Sequence, residues 1–141
     1  MQIFFHEHEQ DLQSFASRLE RACDGLIFIS ETDAPVKLFA GSTADVVIPK
    51  TILEQTGRSP NEPIEERDFD EFFEPLTMIR EWYDEEENAR AKKFLELYLL
   101  LKEFLHDRKV FRIGRIRLDI YAVGLNEESR LTGVSTFAVE T

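Results

Sequence analysis

The sequence predicts an α+β layered fold, and three observations carry that expectation. After Lys109 the apolar period changes to two: Ile116, Leu118, Ile120 and Ala122 alternate with Arg117, Asp119 and Tyr121, the pattern of a strand with one buried face. Upstream, residues 84–106 contain neither Gly nor Pro and are built from good helix formers. The strand-like segments cluster late in the chain instead of alternating with helices, which argues against a doubly wound sheet.

In chain order, Leu12, Phe15, Ala16, Leu19, Ala22 and Cys23 recur at three- and four-residue spacings, predicting an amphipathic helix from Glu7 to about Ala22 that Gly25 ends. Leu26–Ile29 is a short apolar run, followed by the polar turn Ser30–Asp33, which places Glu31 on a loop. Val36–Phe39 reads as extended. Pro49 opens a short helix over Lys50–Gln55, stopped at Thr56-Gly57, and a turn-rich connector, Arg58–Pro63, follows. Asp68 or Asp70 is placed to cap a brief helix through Phe72 and Phe73, broken near Pro75.

The helix over Asp84–His106 opens with four acids, suited to the positive end of its dipole. Its middle, Phe94–Leu101, is apolar on more than one face and predicts cover on two sides. Val110–Ile113, the alternating run ending at Ala122, and Leu131–Thr141 then form an antiparallel meander joined by a turn at Gly124–Ser129. The sequence closes on Val139-Glu-Thr141 directly after the last strand-like run. A terminus held by a strand is expected to be either a structural anchor or a presented ligand.

With 141 residues, a single domain over 1–141 is expected, burying roughly 68–70% of its unfolded surface. One cysteine, Cys23, excludes an intramolecular disulfide and fits a reducing compartment. The start, Met1-Gln-Ile-Phe-Phe, lacks the basic opening and long apolar stretch of a signal peptide, and no run reaches membrane-span length. A soluble cytoplasmic protein without membrane contact is the expectation. The net charge is −11, and between Asn61 and Arg90 twelve acids face three Arg, a local balance of −9. Such a field repels phosphate backbones, so no direct nucleic-acid binding is expected, and it attracts basic partners.

The sequence contains no Gly-rich phosphate loop, nucleophile elbow, paired-Cys zinc site or His-Glu-x-x-His motif. Cys23 lies on the apolar stripe of the first helix and reads as a small buried hydrophobe. His6 and His8 have a spacing that a metal can use from a strand, though a solvated segment is the simpler reading. His106 is expected to cap the long helix. Asp84–Glu87 reads as a first helical turn, with a cation site or a phosphate mimic as the sharper alternatives. Trp82, taken alone, is a core or hydrophobic-staple residue.

Six blocks then accumulate in order: Asp24–Glu31 (DGLIFISE), Glu54–Gly57 (EQTG), Asp68–Phe73 (DFDEFF), Glu81–Ala89 (EWYDEEENA), Val110–Gly124 (VFRIGRIRLDIYAVG) and Gly133–Thr141 (GVSTFAVET). Together they closely resemble the nuclease A inhibitor family, from about Asp11 to the last residue. The resemblance implies an α-β-α sandwich of the pathogenesis-related-1 (PR-1-like) type, with helices on both sides of a mainly antiparallel sheet. It also implies a non-enzymatic protein with no cofactor of its own, which inhibits a Mg²⁺-dependent, sugar-nonspecific ββα-metal endonuclease inside the cell. Glu31 matches the loop glutamate that engages the nuclease's basic groups and metal-bound water. Thr141 matches the C-terminal threonine that reaches the Mg²⁺ of the partner enzyme, Trp82 the interface tryptophan, and Glu81 the acid before it. The expected assembly is a monomer when free and 1:1 in the complex. The rival reading is an acidic interaction module that keeps the fold but binds a different basic partner.

Overall fold

The computed structural model describes residues 15–141. Helix α1 occupies 15–23, and Gly25, at φ +70°, reverses the chain in the left-handed conformation that only Gly adopts without cost. The rest of the predicted first helix, with His6 and His8, lies outside the described residues. There follow β1 (Ile27–Ile29), β2 (Asp33–Pro35), β3 (Lys37–Thr43), α2 (Pro49–Gln55), β4 (Ile64–Arg67), α3 (Phe69–Thr77), α4 (Glu85–Phe104), β5 (His106–Gly114), β6 (Arg117–Leu125) and β7 (Arg130–Val139). β1 and β2 form a separate two-stranded hairpin. The other five strands make one sheet in the order β3-β7-β6-β5-β4, and every pairing is antiparallel.

Strand alternation sorts the core into two layers. On one face, Val110, Leu118, Ile120, Ala122, Val134 and Ala138 meet Leu19 of α1, Phe69 and Phe73 of α3, and Phe94, Leu97 and Leu101 of α4. On the other, Phe111, Ile113, Val123, Leu125 and Leu131 meet Val47 and the α2 residues Ile52 and Leu53. Helices therefore cover both faces, as an α+β sandwich requires, and each fully buried Leu, Ile or Phe contributes about 1.5–3 kcal/mol. An aromatic group ties α3 to α4: the Phe73 ring lies 4.9 Å from Phe69, 5.2 Å from Phe72 and 5.5 Å from Tyr98. Phe72 in turn stacks on Phe28 of β1 at 5.9 Å, so α3 also supports the hairpin.

Several expectations need correction. α3 does not break at Pro75 but runs to Thr77, because Phe69 and Phe73 anchor it and the Thr77 hydroxyl donates to the Phe73 and Glu74 carbonyls at 3.1 and 3.2 Å. Pro75 forfeits one helical donor near the helix end, where little depends on it. His106 does not cap α4; it starts β5, and its Nδ1 lies 3.2 Å from Asp107. The guanidinium of Arg108 folds back instead and donates to the carbonyls of Lys102 and Leu105. The apolar middle of α4 packs against α1, α3 and the sheet through Phe94, Leu97, Leu100 and Leu101, while Leu95 and Leu99 remain 39% and 55% exposed among the described residues. Ile116 is not a core strand position but the exposed tip of the β5–β6 turn.

The connector after Arg58 leads into β4, a strand the apolar pattern did not reveal. Three of its four residues are exposed and charged, and it is held at the sheet edge by backbone pairing with β5 and by the ion pairs Glu66–Lys109 at 3.5 Å and Glu65–Arg112 at 3.8 Å. Such charges on an edge strand discourage pairing with other sheets.

Cys23 sits 8% exposed in the larger core layer, where burial pushes its thiol up to about 11, with Lys93 opposing weakly. At pH 8 only about one thiol in a thousand is then ionised. Iodoacetamide is expected to leave the native protein unmodified over the time that labels it fully in denaturant. Equal labelling rates in both states would contradict this burial.

Candidate functional site

The hairpin β1–β2 turns through Ser30–Thr32, and the turn is closed by its own polar groups. Ser30 N–H donates to the Thr32 carbonyl at 2.9 Å, and the Ser30 hydroxyl donates to the same oxygen at 3.2 Å. That hydroxyl also accepts from the backbone N–H of Val139, the last residue of β7, at 3.0 Å. The N–H of Glu31 donates to the Val139 carbonyl at 3.4 Å. The loop bearing Glu31 is thus tied to the end of the strand after which Thr141 follows.

The two side chains meet: the Thr141 hydroxyl lies 3.0 Å and 3.1 Å from the two carboxylate oxygens of Glu31. Its single proton serves one oxygen at a time. Both residues are exposed, and among the described residues no cation pairs with the Glu31 carboxylate. Three oxygens separated by 110 positions in sequence therefore stand together, open to solvent, with anionic charge left over. Hard cations and cationic side chains are the groups that such oxygens attract.

Thr141 is not part of the last strand, as the sequence pattern suggested, because β7 ends at Val139. Glu140 and Thr141 leave the ladder and are held otherwise. Glu140 N–H donates to the Ile116 carbonyl at 2.9 Å, and the Glu140 carboxylate accepts from Arg112 at 2.5 Å.

Trp82 occupies the loop between α3 and α4 and is 74% exposed, so it is neither core nor staple. The Arg80 guanidinium lies over its ring at 5.5 Å, and Tyr83 meets it edge-on at 6.3 Å. Glu81 beside it is exposed and has no ion pair among the described residues. No contact joins Trp82 to Glu31. Tyr83, next to Trp82, lines a shallow cleft together with Ile27 and Ile29 of β1, Leu76 of α3 and Glu87. Asp84–Glu87 form the first turn of α4, with a reciprocal cap: the Asp84 carboxylate accepts from Glu87 N–H at 2.8 Å, and the Glu87 carboxylate from Asp84 N–H at 3.3 Å.

Sequence reading singled out Glu31, Trp82, Glu81 and Thr141 but passed over Ser30, Arg112 and Glu140. Nothing local marks those three as parts of the site, since the contacts that place them there, Ser30 to Val139 and Arg112 to Glu140, join positions far apart in the chain.

No curated protein matches the chain. The family model for nuclease A inhibitor-like proteins matches residues 13–141, and with nearly the whole sequence spanned, the chain belongs to that family.

Proposed function

We propose that this protein inhibits a Mg²⁺-dependent, sugar-nonspecific ββα-metal endonuclease by occupying its active site with the oxygens of Glu31 and Thr141. The observation that carries the reading is their exposed pairing at 3.0 Å, with no cation paired to the carboxylate among the described residues. A metal nuclease must hold an anionic phosphate with cationic side chains and a hard cation, so a carboxylate and a hydroxyl offered together compete for the same groups. In this scheme Glu31 faces the basic groups and metal-bound water, and Thr141 approaches the Mg²⁺ of the partner enzyme. The protein brings no cofactor of its own. Trp82, exposed beside Glu81, has the character of an aromatic anchor at an interface centre. The acidic stretch over residues 61–90 steers a basic enzyme surface toward it.

The test is plasmid-DNA degradation by such a nuclease in Mg²⁺, titrated with the wild-type protein, Thr141→Gly and Trp82→Ala. Wild-type protein is expected to abolish cleavage at one equivalent, and both variants to need a large excess while keeping the native circular dichroism spectrum. A stable complex that leaves cleavage untouched would instead assign the acidic surface to a different kind of basic partner.

A further inference from the structure

Arg112 lies on β5, on the same sheet face as Ile120, and its side chain is only 12% exposed. It reaches two carboxylates from different parts of the fold, Glu140 at 2.5 Å and Glu65 of edge strand β4 at 3.8 Å. Glu140 is the residue between the end of β7 and Thr141. Its backbone N–H is already committed to the Ile116 carbonyl, so the ion pair fixes a second point of the same residue. Two fixed points on Glu140 leave the next residue few directions, and the one adopted sets the Thr141 hydroxyl against Glu31. From the other side, Ser30 and Glu31 are bonded to Val139. The pair is therefore clamped on both flanks.

We infer that Arg112 is a positioning residue for inhibition, acting through Glu140 to hold Thr141 against Glu31 before the partner arrives. The inference rests on the proposed function for its consequence in inhibition, but not for its structural content. Preorganising a segment improves binding by removing the entropy that would otherwise be lost on docking. A largely buried guanidinium suits this task because its fork of donors can engage two carboxylates at once, which a lysine ammonium does with less geometric control. Glu65 is part of the device, since it holds Arg112 from the side opposite Glu140.

The test compares wild-type protein with Arg112→Gln, Arg112→Lys and Glu140→Gln. The last changes an exposed side chain and keeps the test sound if Arg112→Gln should fold poorly. Backbone ¹⁵N relaxation of the free protein is read first. Order parameters of Glu140 and Thr141 are expected near about 0.85 in the wild type and to fall below about 0.6 in Arg112→Gln and Glu140→Gln, with β5 and β6 unchanged. Arg112→Lys is expected to restore them in part. Inhibition is read second: each Gln variant is expected to weaken it by about tenfold, the scale of coupling within one ion-pair network. In a Thr141→Gly background the same changes are expected to add nothing, a non-additivity that a merely structural role would not produce. Unaltered order at Glu140 and Thr141 in both Gln variants would overturn the clamp. Loosened order with inhibition intact would overturn its role in binding. If the wild type itself inhibits no such nuclease while the order parameters respond as expected, the clamp stands and the proposed function falls.

Discussion

Glu31→Ala is expected to weaken nuclease inhibition by roughly 30- to 5,000-fold, the effect of removing one partner from a desolvated charge pair at about 2–5 kcal/mol. Most of that loss comes from the cationic groups of the enzyme left buried without their counter-charge. Fold stability is expected to change by no more than about 0.5 kcal/mol, because Glu31 is exposed and, among the described residues, its carboxylate is hydrogen-bonded to the Thr141 hydroxyl alone. Inhibition constants and thermal melting measured on the same preparation separate the two effects. Retained inhibition by a folded Glu31→Ala protein would remove the central element of the proposed mechanism. Glu31→Gln keeps the shape and loses the charge, so a comparable loss from it would assign the effect to electrostatics.

Phe73→Ala is expected to show the reverse profile. Phe73 is 1% exposed and meets Phe69, Phe72 and Tyr98, so truncation leaves a cavity at the junction of α3, α4 and the sheet. Large-to-small changes at such a site cost about 3–5 kcal/mol. In a chain of this size that lowers Tm by roughly 10–20 °C, measurable by calorimetry. Below the transition the variant is expected to inhibit nearly as well as wild type, because Phe73 lies in the core beneath the hairpin, with Phe72 between it and Phe28, and away from the Glu31 turn. A melting temperature within a few degrees of wild type would mean that α3 is not held by this ring.

Much of the architecture was legible because it rests on periodicity. The alternation from Leu118 to Ala122 and the acid-capped helix ahead of it are local signals, and both the β6 register and the Asp84–Glu87 cap follow them. β4 was not legible, because three of its four side chains face solvent and its pairing depends on a strand more than forty positions away. Pro75 misled because a propensity rule yielded to tertiary anchoring by Phe69 and Phe73. The site divides in the same way. Glu31, Glu81, Trp82 and Thr141 were singled out through the family blocks that contain them, and the structure brings Glu31 and Thr141 into contact while Trp82 stands on the separate loop between α3 and α4. Arg112 was invisible as a contributor, since an arginine on an alternating strand looks like any solvent-facing residue until Glu140 is folded against it.

The position of β7 has a consequence for how the protein is made. Among the described residues β3 pairs with β7 alone, and Lys37 finds its partner at Ser135. A ribosome emits Glu31 early, yet the residues that tether its hairpin turn, Val139 and Thr141, come more than one hundred positions later. Until β7 emerges, β6 lacks one of its neighbours and β3 its β7 partner, so the nascent chain carries open strand edges from the appearance of β3 until that of β7. Contacts this distant also slow the final closure. A nascent chain that ends short of β7 therefore displays Glu31 without Thr141, and the paired oxygens assemble only after residues 139–141 have emerged.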